Sequence, residues 1–292
     1  MEEQNNFTAE WLLSTDVWTG LAHYYVSLPL YPVFQTVHFI LTAVALRSEK
    51  GSLQFAFKHP IASCVLTFIV ACAGGILANM ALAKPPLESV VNGWNVFTCI
   101  VVWYLIFFSP LDLCYVLTFF TPLKLVLLLV EELARAKKIY AGVTLAASAY
   151  PNSLLAMAVV GMFKGSGKRW GITIFRLSCD PQSAGQHELL QISFATKAAF
   201  VCGAVYAYNQ MTLLIDPPLL VLVCAVVFVS LRLCLFFTSM VDPFSLPQGL
   251  SWKIMTSLSH TPREIVQQEP KTSSKHEQLS KQRHKTNKQK RD

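Results

Sequence analysis

The stretch VVGMFKGSGKR, residues 159–169, brings three glycines and three cations together inside an apolar segment. It approaches the phosphate-binding loop G-x-x-x-x-G-K-[ST] but departs from it at two points. Five residues, not four, separate Gly161 from Gly167, and Arg169 stands where the loop needs a hydroxyl for magnesium. The flanking sequence is also apolar, unlike a strand of a soluble sheet. The stretch therefore predicts no nucleotide site, and its glycines and cations need another explanation.

The composition of the whole chain predicts an all-α membrane protein. Only 14% of the 292 residues are charged, whereas soluble domains carry about 25%. A bilayer is crossed by about 20 apolar residues. Seven stretches reach this length, although the fourth and fifth carry charges in mid-segment. These predicted transmembrane helices are Trp18–Leu46, Ile61–Ala83, Ser89–Leu111, about Leu117–Ala147, about Asn152–Phe175, Ile192–Ile215 and Pro217–Met240.

The placement of charge predicts which side of the membrane each terminus faces. Lys and Arg in short loops mark the cytosolic side, and Arg47, Lys50 and Lys58 lie between the first two stretches. The opposite side is expected to hold the acidic residues Glu2, Glu3, Glu10, Asp16 and Asp216. We therefore expect a luminal or external N-terminus without a signal peptide, and a cytosolic C-terminus. Only an odd number of spans places the two termini on opposite sides of the membrane.

The C-terminal segment is polar and basic from about Thr261, which predicts a disordered tail. Its cations are either simply solvated or attracted to anionic lipid heads. Lys288 and Lys290 lie fifth and third from the end. They resemble a dilysine retrieval signal of endoplasmic reticulum membrane proteins, a pattern that a lysine-rich tail also produces by chance.

Glycines in the middle of two stretches predict how the spans are organised. Gly74 and Gly75 lie in the second stretch, and Gly165 and Gly167 lie in the fifth beside Lys164. Glycine lets two membrane helices approach closely or permits a kink. Two such spans, three apart in order, fit an inverted repeat whose broken helices meet at the membrane midplane. The glycine pairing thus predicts inverted three-helix repeats followed by a seventh helix.

This pairing divides the chain into five segments. They are a luminal N-terminus at 1–16, a first three-helix repeat at 17–111, a second at 112–215, the seventh helix and its end at 216–252, and a basic cytosolic tail at 253–292. A rival pairing matches Lys84-Pro85-Pro86-Leu87 with Asp216-Pro217-Pro218-Leu219 and would give a parallel repeat. Because prolines begin helices in many contexts, the glycine pairing is preferred.

The position of Lys164 depends on where the fifth helix ends. If the helix crosses from Asn152 to Phe175, Lys164 lies near its middle, where a charge must face water or a partner. If instead the membrane span ends at Gly161, the cations that follow stand in the cytosol. Hydropathy leaves both interpretations open.

The stretch EELARAKKIYAGV, residues 131–143, continues a leucine-rich helix and concentrates charge at membrane depth. Arg135 and Lys138 are three residues apart and therefore share a helix face. One interpretation is an internal ion pair of Glu131 or Glu132 with Arg135. The other is a basic pocket between helices that binds the head of an anionic lipid through paired hydrogen bonds.

Seven features follow one another along the chain between about Ala22 and Trp252. They are KHPI at 58–61, AGGIL at 73–77, WYLIFFSPLDL at 103–113, R-x-x-K-I-x-x-G-V-x-x-A at 135–146, the glycine cluster at 161–167, ATK at 195–197, and Arg232. In this order and spacing, they resemble the trimeric intracellular cation channels of endoplasmic and sarcoplasmic reticulum.

The resemblance implies a homotrimer of seven-span protomers, each with its own pore lined by kinked second and fifth helices. The permeant ion would be potassium, whose flow balances charge while calcium leaves the store. A phosphoinositide, phosphatidylinositol 4,5-bisphosphate, would have its head held by the basic motif of the fourth helix. The implied lipid-binding residues are Arg135, Lys138, Gly74 and Gly75, and the implied pore and kink residues are Gly74, Gly75, Lys164, Gly165, Gly167 and Lys197.

One position departs from the family pattern. The basic motif usually opens with lysine and then glutamate, whereas this chain has Glu131-Glu132. An acidic residue therefore stands where a cation is expected at the lipid head, and Lys137 lies on a different face of the helix. Lys164 and Lys197 would also repel potassium unless lipid phosphates neutralise them or their side chains point away from the pore.

Other functions fit less well. A secondary transporter also uses inverted repeats and broken helices and remains the alternative. A seven-span receptor is disfavoured, because this chain has no Asp-Arg-Tyr-like triplet at the end of the third span. We expect no enzyme, because His23 and His38 lack an evident acidic partner and are interpreted as core or interface histidines. The eight cysteines show no C-x-x-C spacing and predict neither disulfides nor a metal site, and no nucleic-acid partner is expected.

Overall fold

A computed structural model describes residues 15–179 and 193–238 of the chain. Within these ranges the protein is helical and contains no strand. The segment predicted to be a luminal N-terminus, apart from its last two residues, lies outside the described residues. So do the basic tail and its dilysine pattern at Lys288 and Lys290.

Ten α-helices and two short 3-10 helices follow one another in the described residues. The α-helices are α1 (Thr15–Ser27), α2 (Val33–Arg47), α3 (Ser52–Lys58), α4 (Pro60–Ala81), α5 (Gly93–Phe108), α6 (Leu113–Leu117), α7 (Thr121–Ala147), α8 (Leu154–Cys179), α9 (Phe194–Thr212) and α10 (Pro217–Thr238). The 3-10 helices are Pro86–Val90 and Pro110–Asp112.

Each predicted span contains a helix, and the first contains two. Helices α1 and α2 divide it at residues 28–32, where Pro29 and Pro32 interrupt helical hydrogen bonding. By length and hydropathy alone, α4 and α10 can cross a membrane, and α5 joined to residues 110–117 would be a third span bent by 94°. The seven crossings therefore stay a prediction, since α7 and α8 carry too much charge to qualify on hydropathy.

Helix α8 occupies the centre of the fold. It packs against α4 on one side and against α7 and α9 on others, while α10 packs on α7 and α1. A second core lies where α2 meets α4 and α5, and includes the buried Phe39, Leu46, Trp103 and Phe107. The central position of α8 brings its cations next to the charged part of α7.

Glycines bring the backbones of α4, α7 and α8 into direct contact. A Cβ atom at Gly167 would lie 1.9 Å from the Cα of Gly74, and one at Gly142 would lie 2.9 Å from the Cα of Gly161. No side chain larger than hydrogen fits at these crossings without moving a backbone. The close approach predicted for the glycines is therefore present between these helices.

The sequence led us to expect breaks in the helices at these glycines, but neither helix is broken there. Helix α4 is continuous through Gly74 and Gly75, and α8 is continuous through Gly165 and Gly167. Glycine permits a break but does not require one, and an intact helix keeps its carbonyls hydrogen-bonded away from lipid. A smooth kink stays a prediction. Helix α8 also runs through Lys164. Because a helix can continue beyond the bilayer, this continuity does not decide where the fifth span ends, and both positions of Lys164 stay predictions.

Ion pairs tie the helix ends together at both ends of the bundle. Arg47 of α2 pairs with Asp112 at 2.6 Å, stands 4.2 Å from the centre of the Tyr115 ring and donates to the Ile106 carbonyl. Arg176 of α8 pairs with Glu49 at 2.5 Å. At the other end, His23 lies 3.5 Å from Asp216, so the expectation that this histidine has no acidic partner was wrong. Each pair joins segments that the seven-span prediction assigns to one side of the membrane.

The glycine contact predicts a selective loss of stability. We expect Gly167→Ala to lower the thermal unfolding midpoint in mild detergent, because parting the α4 and α8 backbones costs about 1–3 kcal/mol or more. Gly20→Ala is the matched control, since no atom lies within 4 Å of a Cβ at that exposed helical position. It should be neutral or stabilise by up to about 1 kcal/mol. Equal midpoints for the two variants would contradict the contact.

Candidate functional site

A cavity of about 290 Å³ lies between α2, α4, α5, α7 and α8. Its wall combines charged side chains with small residues that leave the space open. The lining residues are Leu30, Gln35, His38, Ala71, Cys72, Gly74, Gly75, Asn95, Glu131, Arg135, Lys138, Lys164, Gly165, Ser166, Gly167, Lys168 and Arg169.

The cavity brings together seven of the eight residues singled out from the sequence. Those seven are Gly74, Gly75, Arg135, Lys138, Lys164, Gly165 and Gly167. The eighth, Lys197, lies on α9 and is not part of the lining. Helical spacing explains the convergence, because Arg135 and Lys138 share one face of α7, and Lys164 and Gly167 share one face of α8.

Glu132 and Arg135 form the internal ion pair that was one of the two interpretations of this helix. The Arg135 guanidinium donates to the Glu132 carboxylate at 2.5 Å, and the Arg232 guanidinium of α10 lies 3.7 Å from the same carboxylate. Arg135 keeps one donor outside this pair, because its buried Nε has no hydrogen-bond partner in the part of the chain described. Glu132 therefore holds Arg135 in place and leaves a donor for a further acceptor.

Glu131 faces the cavity and has different partners. Its buried carboxylate accepts from the Lys168 ammonium at 3.0 Å and lies 2.9 Å from His38 Nδ1. The other ring nitrogen of His38 lies 3.0 Å from the Ala71 carbonyl. The histidine is buried and hydrogen-bonded, as expected, but the view that it lacks an acidic partner was wrong. The partner lies 93 positions away in sequence, beyond the reach of any local pattern.

Lys137 is unavailable to replace a missing cation in the cavity. Its ammonium donates to the Tyr25 carbonyl at 3.1 Å and to the Leu28 carbonyl, and it lies 5.4 Å from the centre of the Tyr25 ring. These contacts hold the junction of α1 and α2 against α7. Lys137 therefore lies on a different face of α7 from the cavity, as its spacing predicted.

The lining has a large excess of positive charge. Five cations, Arg135, Lys138, Lys164, Lys168 and Arg169, line the cavity with one carboxylate, that of Glu131, and a second carboxylate, that of Glu132, pairs with Arg135 from outside the lining. In the described ranges, the Lys138 ammonium has no hydrogen bond or ion pair, and Lys164 reaches only the Ala141 carbonyl, at 3.4 Å. Cations held at this depth need an anionic partner or water. The cavity is therefore suited to a ligand that carries several negatively charged oxygens.

Two cations of the site were missed as candidates in the sequence. Lys168 follows Lys164 by four residues and so shares its helix face, a signal that the spacing contained. Arg169 lies beside it. Both lie in the glycine stretch at 159–169, but only Lys164 was implied there as a pore residue by the resemblance.

The family model described as TRIC channel matches residues 49–239, which is more than half of the chain. The chain belongs to the TRIC channel family. Trimeric intracellular cation channel type 1B.1 of Caenorhabditis elegans is 34% identical over 223 residues, which cover 75% of this chain and 75% of the relative.

Solved TRIC structures share the fold. A trimeric intracellular cation channel from C. elegans without Ca²⁺ has a TM-score of 0.70 at 29% identity, covering 78% of this chain and 99% of that one. A second structure, of TRIC counter-ion channels in calcium release, has a TM-score of 0.69 at 25% identity and covers 76% and 100%. This TRIC protein is thus a member of a family of membrane ion channels, not of enzymes.

The two guanidinium groups on Glu132 predict a strong effect of removing its charge. We expect Glu132→Gln to destabilise the protein by about 3–5 kcal/mol, because it leaves buried cations without their counter-charge. The readout is the thermal unfolding midpoint in detergent.

Glu49→Gln is the control, since it removes the same charge from the pair with the half-exposed Arg176. A surface pair contributes about 0–1 kcal/mol. A Glu132→Gln midpoint as high as that of the control would contradict the role of Glu132.

Proposed function

We propose that the protein is a potassium-conducting channel of an intracellular calcium-store membrane, and that its current balances charge during calcium release. The pore lies within each protomer, beside the contact of α4 with α8. The cavity carries this proposal, because it is a polar space bordered by Gly74 and Gly167, at the contact of the two helices that the resemblance assigns to the pore. One similar structure is described as that of counter-ion channels in calcium release, which supports the same role here.

An anionic phosphoinositide head, that of phosphatidylinositol 4,5-bisphosphate, is the ligand we propose for the cavity. The Nε of Arg135 and the ammonium of Lys138 are donors without acceptors among the described residues. Phosphate oxygens accept charge-assisted hydrogen bonds from such groups. Gly74 and Gly75 line the same cavity without side chains, so a headgroup can approach the α4 backbone there. The residues present therefore fit the group.

The lipid phosphates would also reduce the electrostatic repulsion that cations in a pore exert on potassium. Lys164 lines the cavity, and bound phosphates would cancel its charge over a few ångströms of low-dielectric space. Lys197 is not in the lining and creates no barrier there. When bound, the lipid supplies negative charge, and the protein orients it through side chains on α7 and α8.

We further infer seven membrane crossings arranged as two inverted three-helix repeats, 17–111 and 112–215, followed by the seventh helix in 216–252. The packing of α4 on α8 supports this arrangement, because the second helix of each repeat would then meet its counterpart. The protomers form a homotrimer in the endoplasmic or sarcoplasmic reticulum membrane. The N-terminus is luminal, and the tail at 253–292 is cytosolic, where a dilysine signal would be read.

A secondary transporter is the alternative, because it would use the same repeats. The relatives named above are described as channels, and transporters of this kind move substrate by rocking one repeat against the other. Resolved single-channel steps of current in planar bilayers are expected from the pore that we propose. A transporter would give none.

Replacing the two cations of α7 that line the cavity should release the lipid. We expect Lys138→Ala, and more strongly Arg135→Ala with Lys138→Ala, to reduce phosphoinositide bound to the purified trimer by about tenfold or more, since each substitution removes charge-assisted hydrogen bonds to phosphate oxygens. Native mass spectrometry measures the lipid, and bilayer recording should show altered potassium conductance.

The matched control removes the same charge outside the cavity, at the exposed Lys50 and Lys58, by replacing both with alanine. Because Lys138 has no hydrogen bond or ion pair to another described residue, its variant should assemble normally. Lipid content equal to wild type in the cavity variants would count against the proposed site.

Terminal tags test the proposed orientation. In sealed microsomes, we expect a tag before Met1 to resist added protease and a tag after Asp292 to be removed, because an odd number of crossings separates the two ends. Detergent should expose both tags. Loss of both tags without detergent would exclude seven crossings.

A further inference from the structure

Glu131 stands where the resemblance to the channel family leads us to expect lysine, and the chain carries a cation across the cavity from it. The Lys168 ammonium of α8 lies 3.0 Å from the Glu131 carboxylate of α7. Both side chains line the cavity. Compared with that expectation, this wall of the cavity has a negative charge on α7, paired with a positive charge on α8.

The carboxylate is fixed in place by two helices other than its own. Lys168 of α8 reaches Oε1 at 3.0 Å, and His38 of α2 reaches the same oxygen at 2.9 Å and Oε2 at 3.2 Å. His38 is fixed in turn by the Ala71 carbonyl of α4. Glu131 is therefore a buried, oriented charge and cannot turn away from the cavity without leaving its partners uncompensated.

This charge changes the electrostatic balance of the cavity. Without Glu131, the lining would hold five cations and no anion. With it, the Lys168 charge is neutralised by the protein itself, and the field on a passing cation falls accordingly. The same neutralisation is the task that our proposed function assigns to the phosphates of a lipid head.

We propose that Glu131 is an internal counter-charge that takes over part of the role of the anionic lipid, so that this channel conducts cations without a bound phosphoinositide. His38 and Lys168 are the residues that position it. The inference rests on the proposed function, since it concerns the same cavity and the same current. On this proposal, a bound phosphoinositide increases the cation current, but the current does not require it.

A purely structural role would be a tie between α2, α7 and α8. Breaking such a tie would lower stability without changing how the current depends on lipid. An internal counter-charge, in contrast, makes current in neutral lipid depend on the charge at position 131 and makes phosphoinositide able to replace it. The dependence of current on lipid therefore separates the two roles.

The experiment uses the full chain, stripped of lipid and reconstituted in bilayers of phosphatidylcholine alone or with phosphatidylinositol 4,5-bisphosphate. We expect the wild type to pass potassium current in both. Glu131→Gln should pass at least about tenfold less in phosphatidylcholine alone, because charge lining a cleft changes local cation concentration by this order, and should recover when phosphoinositide is added. Glu49→Gln, which breaks the pair with Arg176, should resemble the wild type.

A charge-exchanged variant protects the test against misfolding. Glu131→Lys combined with Lys168→Glu keeps a carboxylate and an ammonium facing each other across the cavity. We expect it to conduct in phosphatidylcholine and to bind as much phosphoinositide as the wild type in native mass spectrometry. Glu131→Lys alone should bind more phosphoinositide than the wild type and should not conduct without it.

The results separate a failure of the counter-charge proposal from a failure of the channel proposal. A wild type that conducts only with phosphoinositide, or a folded Glu131→Gln variant whose current in phosphatidylcholine equals that of the wild type, overturns the counter-charge while the channel stands. If Glu131→Gln fails to assemble, the exchanged variant decides, and silence of that folded variant in phosphatidylcholine overturns the proposal. A wild type without current in any lipid refutes the proposed function itself.

Discussion

The direct contact between the backbone of α8 and those of α4 and α7 is the constraint on which the rest of the site depends. Gly74 meets Gly167, and Gly142 meets Gly161, at distances that exclude a Cβ atom. The two lysines of α8, Lys164 and Lys168, line the cavity beside these crossings. The cavity and its charges are therefore consequences of how closely these three helices pack.

Two adjacent glutamates on α7 serve different surfaces because neighbouring residues on a helix point about 100° apart. Glu132 points toward α10 and holds the guanidinium groups of Arg135 and Arg232. Glu131 points into the cavity and holds His38 and Lys168. One helical turn thus fixes the guanidinium that we propose as a lipid ligand and, separately, sets the charge of the opposite wall. Since both residues are glutamates, the helix face on which each lies, and not its chemical identity, determines which side chains it contacts.

The parts of the site that follow from short-range spacing could be predicted from the sequence. The shared face of Arg135 and Lys138 and the close approach at Gly74 and Gly167 need only helical periodicity and residue size. The contact of His38 with Glu131, and of Lys137 with the carbonyls at the end of α1, joins residues that are 93 and more than 100 positions apart. Only the packed fold determines such contacts. The expected helix breaks were wrong for a related reason, since glycine allows several conformations and the neighbouring backbone selects one.

The reversed charge at position 131 shows why one residue of a motif does not decide what a cavity binds. A glutamate in place of the lysine implied by resemblance reverses the sign of the charge at that point, yet five cations still face it. The anionic ligand that we propose for the cavity rests on this sum of charges and on the donors left over on Arg135 and Lys138. The reversal does change how evenly the charge is distributed. The Lys168 ammonium is paired with a carboxylate of the cavity lining, whereas the Lys138 ammonium has no carboxylate in hydrogen-bonding contact among the described residues, and Arg135 beside it is paired with Glu132. In the arrangement that we propose, an anionic headgroup would therefore bind beside Lys138, and a permeating cation would meet less repulsion beside Lys168.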